Sequence, residues 1–288
     1  MTATATTVKV SAYTRFVAML SPGARVAAVV LLLLLAAALL APWIAPYGEN
    51  EIVGEFWESF SARSWLGTDQ LGRDLLTRLI YGAQNTFLIA GAATLLSFTM
   101  GGFLGFIAAV SGGAIDSLLS RLNDMMMAIP TLIFALVILS VMPSSLIVLI
   151  LVMGVLDSTR VFRLSRAVAV DIAVFDFVEA ARLRGERTFW IISREILPNA
   201  LSPLFAEFGL RFAFAVLFLS TLSFLGLGIQ PPEADWGNMV RDNRDGIIYG
   251  IPAALIPAAA IAMLTISINV IVDSVISRTS SLKGGRDA

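Results

Sequence analysis

Apolar residues in this chain run on unbroken instead of alternating with polar ones. Val26 to Ile44 is nineteen residues without a charge, about 28 Å as a helix, which matches the hydrocarbon thickness of a bilayer. Nothing is charged between Arg78 and Asp116, and a second span fits within 86–110. The uncharged stretch from Asp124 to Asp157 would make one helix of about 48 Å, too long for a single crossing. Met142-Pro143-Ser144-Ser145 in its middle has turn composition, which divides it into spans at 122–142 and 145–161. Runs at 199–222 and 251–272 bring the expected number to six. A signal peptide does not fit the first run, because its apolar region is about 7–15 residues and further spans follow.

The polar positions assign sidedness. With the N-terminus inside, the segment 160–194 is cytoplasmic and holds Arg160, Arg163, Arg166, Arg182, Arg184, Arg187 and Arg194. Lys9, Arg15 and Arg25 before the first span, and Arg278, Lys283 and Arg286 after the last, fall on the same side. The outer loops, 46–84 and 224–250, carry five Arg against ten acids, so the positive-inside rule holds throughout. Merging the third and fourth spans would put the seven loop arginines outside. The expected fold is an all-α integral membrane protein with both termini cytoplasmic. Its parts are an arm (1–25), a first transmembrane helix (26–45), an outer loop (46–84), a five-helix core (85–275) and a tail (276–288). The core contains a cytoplasmic loop (162–198) and a second outer loop (223–250).

Composition narrows the chemistry. Of 288 residues 57% are hydrophobic and 14% charged, against about 25% charged in a typical soluble protein. The net charge of −1 offers nothing to a nucleic acid. Cys and His are absent, which removes thiolate and HExxH metal sites, Ser-His-Asp triads and the usual pH switch. Lys9 and Lys283 are the only lysines, and neither stands in a GxxxxGK[ST] sequence. No P-loop is present, so ATP chemistry would belong to another chain.

Three places remain to be explained. Asp176-Phe-Val-Glu179 has capping-box spacing and starts a helix in the cytoplasmic loop. Gly185 then breaks it, and a second helical stretch, 188–197, presents Phe189, Ile192 and Ile196 on one side, with Pro198 opening the fifth span. Glu207 and Arg211 stand four residues apart in that span, the acid first, the favourable order for a pair. They are open to two readings: a neutralised pair against a neighbouring helix, or the wall of a water-lined path, with Asn269 as a further polar candidate. Gly101-Gly102-x-x-Gly105 makes a small-residue face that lets another helix approach closely.

The order Glu179-Ala180-Ala181, Gly185, Ile196-Leu197-Pro198, Asn199-Ala200 resembles the EAA loop of bacterial ABC importer permeases. Gly67-Thr68-Asp69-x-x-Gly72-Arg73-Asp74-x-x-x-Arg78-x-x-Tyr81-Gly82 resembles the dipeptide/oligopeptide/nickel class in particular. So do Ser223-Phe224-Leu225-Gly226-Leu227-Gly228-Ile229-Gln230-Pro231-Pro232 and Trp236-Gly237-Asn238-Met239. A span ahead of the first of these segments is similar to the second, C-type permease of such systems. The resemblance implies a type I ABC importer permease fold in a bacterial inner membrane. It also implies three kinds of partner: a second homologous permease, two P-loop ATPase subunits binding ATP and Mg, and an extracytoplasmic solute-binding protein. Glu179, Ala180, Ala181, Arg184, Gly185, Ile196, Leu197 and Pro198 would couple to the ATPases, the alanines packing in their groove and Gly185 setting the angle between two short helices. Asp69, Arg73, Asp74, Gln230, Pro231, Pro232 and Trp236 would receive the binding protein, with Trp236 as an interfacial anchor. The cargo would be a peptide or peptide-like solute. Asp157-Ser-Thr-Arg160 departs from the usual Gly/Tyr-Ala-Arg pattern. A secondary transporter, the rival reading, should show inverted repeats, and none is visible. A membrane enzyme would need a converging catalytic set, also not visible, and a non-ABC structural subunit is the remaining alternative.

Overall fold

The computed structural model describes residues 21–284; Lys9 and Arg15 of the expected arm and Arg286 of the tail lie outside the described residues. Helix α1, Pro22–Leu39, begins where Ser21 accepts a hydrogen bond from the Ala24 N–H at 3.2 Å. Pro22 occupies the first turn, where no N–H is needed. One further helical turn, Ala41–Ile44, follows. Helix α2, Leu75–Ser111, is 37 residues long, about 55 Å, and starts well before the expected 86. Asp74 is the reason: its carboxylate accepts from the Thr77 N–H at 2.8 Å and fixes the start outside the apolar run.

The expected span 122–142 is broken next to Pro130 in the structure. Helix α3, Gly113–Met127, and helix α4, Thr131–Val141, meet at a bend of 79°. Pro130 has no N–H to continue the ladder and disfavours helical backbone at Ile129, so the break falls there. Helix α5, Leu146–Ala173, is capped by Ser145, whose hydroxyl accepts from the Val148 N–H at 3.2 Å, and it runs on past the expected end at 161. Helix α6, Asp176–Leu183, is short. Helix α7, Thr188–Phe224, is continuous and includes a π-helical turn at Ile192–Ile196. The outer side carries helix α8, Trp236–Asn243, and the last helix, α9, is Leu255–Gly284.

The described residues contain no strand, only two isolated bridges. Four helical stretches among them are long and apolar enough to cross a membrane: Pro22–Leu39, Leu75–Ser111, Thr188–Phe224 and Pro252–Ser277; α3 and α4 add a fifth if the bent pair crosses as one. Helix α5 has the length, but Asp157, Arg160 and Arg163 interrupt its apolar character.

The glycine face of α2 finds its partner in α5. A side chain at Gly101 would sit 2.3 Å from the Ser158 carbonyl, and one at Gly105 would sit 2.6 Å from that of Phe162. Backbone therefore lies against backbone, which only glycine allows at this separation. One apolar cluster, with Leu75, Ile89, Leu219, Leu222, Trp236 and Leu264, joins α2, α7, α8 and α9. A second, built on Phe106, Ile172, Val178, Ile191, Ile196 and Leu204, closes the other end.

Candidate functional site

The second cluster holds the segment around α6 in place. Val178 and Ala181, on one face of α6, are fully buried beneath Ile191, Ile192 and Ile196. The expected capping box does not form. Asp176 is the first residue of α6, Phe175 is at its cap, and no side chain caps it. The Phe175 carbonyl already accepts from the Val178 and Glu179 N–H groups, at 2.9 and 3.3 Å. The other end closes as a Schellman motif: Gly185 donates to the Arg182 carbonyl at 2.9 Å, and Glu186 to that of Ala181 at 3.2 Å. Gly185 takes φ +80°, the left-handed conformation this cap requires.

Ala181 thus packs inward, under the chain's own helix, while Glu179, Ala180 and Arg184 stay exposed. The Arg184 guanidinium lies 5.8 Å from the Trp190 ring centre and within 4.0 Å of both Glu186 and Glu195. Around them Val174, Phe175, Phe177, Leu183 and Phe189 turn apolar surface outward. Ile196 is buried, and Leu197 and Pro198 reach the surface. Pro198 stands in the first turn of the α-helical stretch Leu197–Phe224, as expected. The π turn leads into it without a break, with the Leu197 N–H donating to the Ile192 carbonyl, and the Asn199 amide donates to the Glu195 carbonyl at 2.7 Å.

Glu207 and Arg211 form the expected pair at 2.6 Å, but not alone. Arg211 also lies 3.6 Å from Asp157 of α5, and Asp157 lies 3.7 Å from Arg160. Ser97 of α2 donates to the other Asp157 oxygen at 3.2 Å. Arg160 reaches Thr131, the first residue after the helix break, at 3.4 Å, and stacks over Phe214 at 5.1 Å. Two cavities meet at this cluster. One of about 340 Å³ is lined by Pro130, Thr131, Asp157, Arg160 and Phe214. The other, about 420 Å³, is lined by Arg160, Arg211, Phe214 and Asn269. Sequence reasoning placed Arg160 in the loop 160–194 and took Asp157 only as a departure from the family pattern, not as a site residue. A lone acid three residues before an arginine, at the end of an apolar run, was the signal available.

The residues proposed for outer docking divide. Gln230, Pro231 and Pro232 are exposed. Asp69, Arg73, Asp74 and Trp236 are buried, at 7% exposure or less, and are corrected to internal fasteners. Asp69 pairs with Arg73 at 2.7 Å and with Arg78 at 3.5 Å. Arg78 in turn donates to the carbonyls of Glu49 and Pro232, each at 3.3 Å. Asp74 caps α2 and accepts from Ser64. Trp236 is no interfacial anchor: its indole N–H donates to the Leu79 carbonyl at 2.9 Å, and its ring packs on Gly82. Asp235 caps α8, accepting from the N–H groups of Gly237 and Asn238 at 2.8 and 3.1 Å. Burial outweighs these bonds and pushes its carboxyl up to about 6.

Among the described residues, four apolar helical stretches long enough to cross a membrane, or five with the bent pair, mark a membrane protein, and sequence comparison assigns the family. Residues 101–281 match the binding-protein-dependent transport system inner membrane component family, and 19–60 match the N-terminal transmembrane domain of oligopeptide transport permease C. The chain belongs to this family and is the multi-pass inner-membrane permease subunit of a binding-protein-dependent importer. It is 37% identical over 243 residues to the di/tripeptide transport system permease protein DppC of Pseudomonas aeruginosa, covering 82% of this chain and 80% of that protein. It is 38% identical over 250 residues to a putative peptide transport system permease protein of Brucella suis, covering 86% and 84%. With the probable D,D-dipeptide transport system permease protein DdpC of Escherichia coli it shares 30% over 269 residues, covering 93% and 90%. These relatives are permease subunits, as the family assignment makes this chain.

Proposed function

We propose that this chain forms half of the path of an ATP-driven importer of short peptides or peptide-like solutes. A second, homologous permease supplies the other half. Two P-loop subunits bind ATP and Mg and carry out the hydrolysis, and an extracytoplasmic binding protein delivers the cargo. The peptide assignment follows the relatives named above. Six crossings with both termini cytoplasmic remain our reading, supported by the arginine distribution and by the length of α5.

The observation that carries this reading is the mounting of α6. One face is locked under Ile191, Ile192 and Ile196, and the other turns Phe175, Phe177 and Leu183 outward beside Glu179 and Arg184. An exposed apolar patch with a polar rim marks a protein contact, and the ATPase groove is the partner it fits. Docking there transmits movement because α6 cannot shift without α7, whose own length carries Glu207 and Arg211 on the path wall with Asn269 opposite. On the outer side Gln230, Pro231 and Pro232 form the part of the surface that meets the binding protein.

The test is co-purification of the tagged chain in mild detergent, with mass spectrometry and an ATPase assay. P-loop subunits and a second permease should accompany it. The chain has no cysteine, so one introduced at Arg184 should crosslink to an ATPase subunit in native membranes. A chain that purifies alone and does not crosslink refutes the reading.

A further inference from the structure

Asp157, between α5 and α7, is held differently from a structural ion pair. Arg166 and Asp116 show what such a pair looks like in this chain: two parallel bonds at 2.5 and 2.6 Å. Asp157, by contrast, has two guanidinium groups at 3.6 and 3.7 Å, and its Oδ1 is buried with no hydrogen bond to either. Its partners lie on the walls of cavities instead of in a closed helix contact, and the two cavities share Arg160 and Phe214. Volumes of about 340 and 420 Å³ lie in the range of small-molecule sites, roughly 300–1,000 Å³.

The balance of sign selects the ligand. Two carboxylates and two guanidiniums sum to zero, which is how charge is tolerated at this depth. A ligand bearing only a carboxylate would leave this neutral cluster with an uncompensated negative charge. A ligand bearing only an ammonium would strand an arginine. A zwitterion replaces both halves of the pair it opens.

We propose that Asp157, Arg160, Glu207 and Arg211 form a zwitterion-recognition site that takes the free ammonium and carboxylate ends of a short peptide during passage. This rests on the peptide-permease reading above. Arg160 and Arg211 receive the carboxylate and Asp157 the ammonium, while Glu207 holds Arg211 in place. Arg160, tied to Thr131, links occupancy to the bent α3–α4 pair.

The experiment uses a single cysteine at Leu132, which lines the first cavity, in the assembled importer in vesicles. The rate of its modification by a small hydrophilic thiol reagent is measured with alanyl-alanine, its N-acetyl derivative or its C-terminal amide. Alanyl-alanine should slow the reaction several-fold. Either capped peptide should need about tenfold more for equal protection, the difference one charge-assisted bond makes. Asp157→Asn should remove the preference for a free amino end, and Arg160→Gln that for a free carboxyl end. Equal protection by all three peptides overturns the proposal, as does a cysteine that never reacts. The peptide series on Leu132→Cys decides even if a charge variant fails to fold. Uptake by the same vesicles separates the two readings: intact peptide uptake without discrimination at the cysteine refutes the site alone. Failure of uptake across all peptides, with an intact complex, refutes the peptide permease.

Discussion

Valine at Gly185 isolates the backbone contribution to the α6 mounting. A Cβ added there meets no heavy atom within 4 Å, so the substitution creates no clash. Its cost is the left-handed conformation itself, φ +80°, roughly 1–2 kcal/mol for an L-residue and toward the upper end for a β-branched one. That amount shifts a local equilibrium by a factor of about 5–30. It falls on the two bonds from Gly185 and Glu186 that close α6. Hydrogen exchange at these amides should accelerate by about that factor. Solute-stimulated ATP hydrolysis by the assembled importer should drop while the chain still reaches the membrane. Asparagine tolerates the left-handed region, so Gly185→Asn should recover most of both signals, and Gly185→Ala should fall between. Wild-type exchange and hydrolysis in the valine variant, or an asparagine variant as impaired as valine, would refute the reasoning.

Three other outcomes follow from the geometry. Gly105→Leu should force α2 from α5, because its Cβ lies 2.6 Å from the Phe162 carbonyl; a loss of about 1–3 kcal/mol should appear as a lower melting midpoint in detergent. Asp69→Ala leaves Arg73 and Arg78 buried without their carboxylate and should cost about 3–5 kcal/mol, read as rapid protease cleavage of segment 46–74. Asp235 should make the outer loop pH-dependent. Its carboxyl is raised from 3.8 to about 6, so the folded loop keeps a proton that the opened loop has lost. The stabilisation is therefore complete below about pH 3.8 and is lost as pH rises through 6, in all about 3 kcal/mol. Hydrogen exchange of 223–250 between pH 4 and 7 should show the trend, and Asp235→Asn, which keeps a capping oxygen, should abolish it.

The apolar runs made the helical class and most of the apolar segments legible, because bilayer thickness imposes a length that a sequence displays directly. Helix ends were less legible. Asp74 and Ser145 set two starts through side-chain caps, while Asp176, with the same capping chemistry, is left out because the Phe175 carbonyl already takes the free amides. Motif residues before α2 and around α8 were read as a docking surface, yet Asp69, Arg73 and Trp236 proved to be internal. A motif gives residue types and spacing but not the direction in which a side chain points. The charged cluster was half visible: Glu207 and Arg211 share a helix, so spacing sufficed. Asp157 comes from another helix, and only the fold brings it alongside.

The π turn in α7 has a geometric effect on the far end of that helix. One extra residue within a helical turn rotates everything after it by about 100° and advances it by about 1.5 Å. The azimuth of Arg211 is therefore indexed by Ile192–Ile196, some 15 residues earlier, inside the same cluster that grips α6. The angular phase between the cluster that grips α6 and the charged cavity is thus written into the backbone winding of α7.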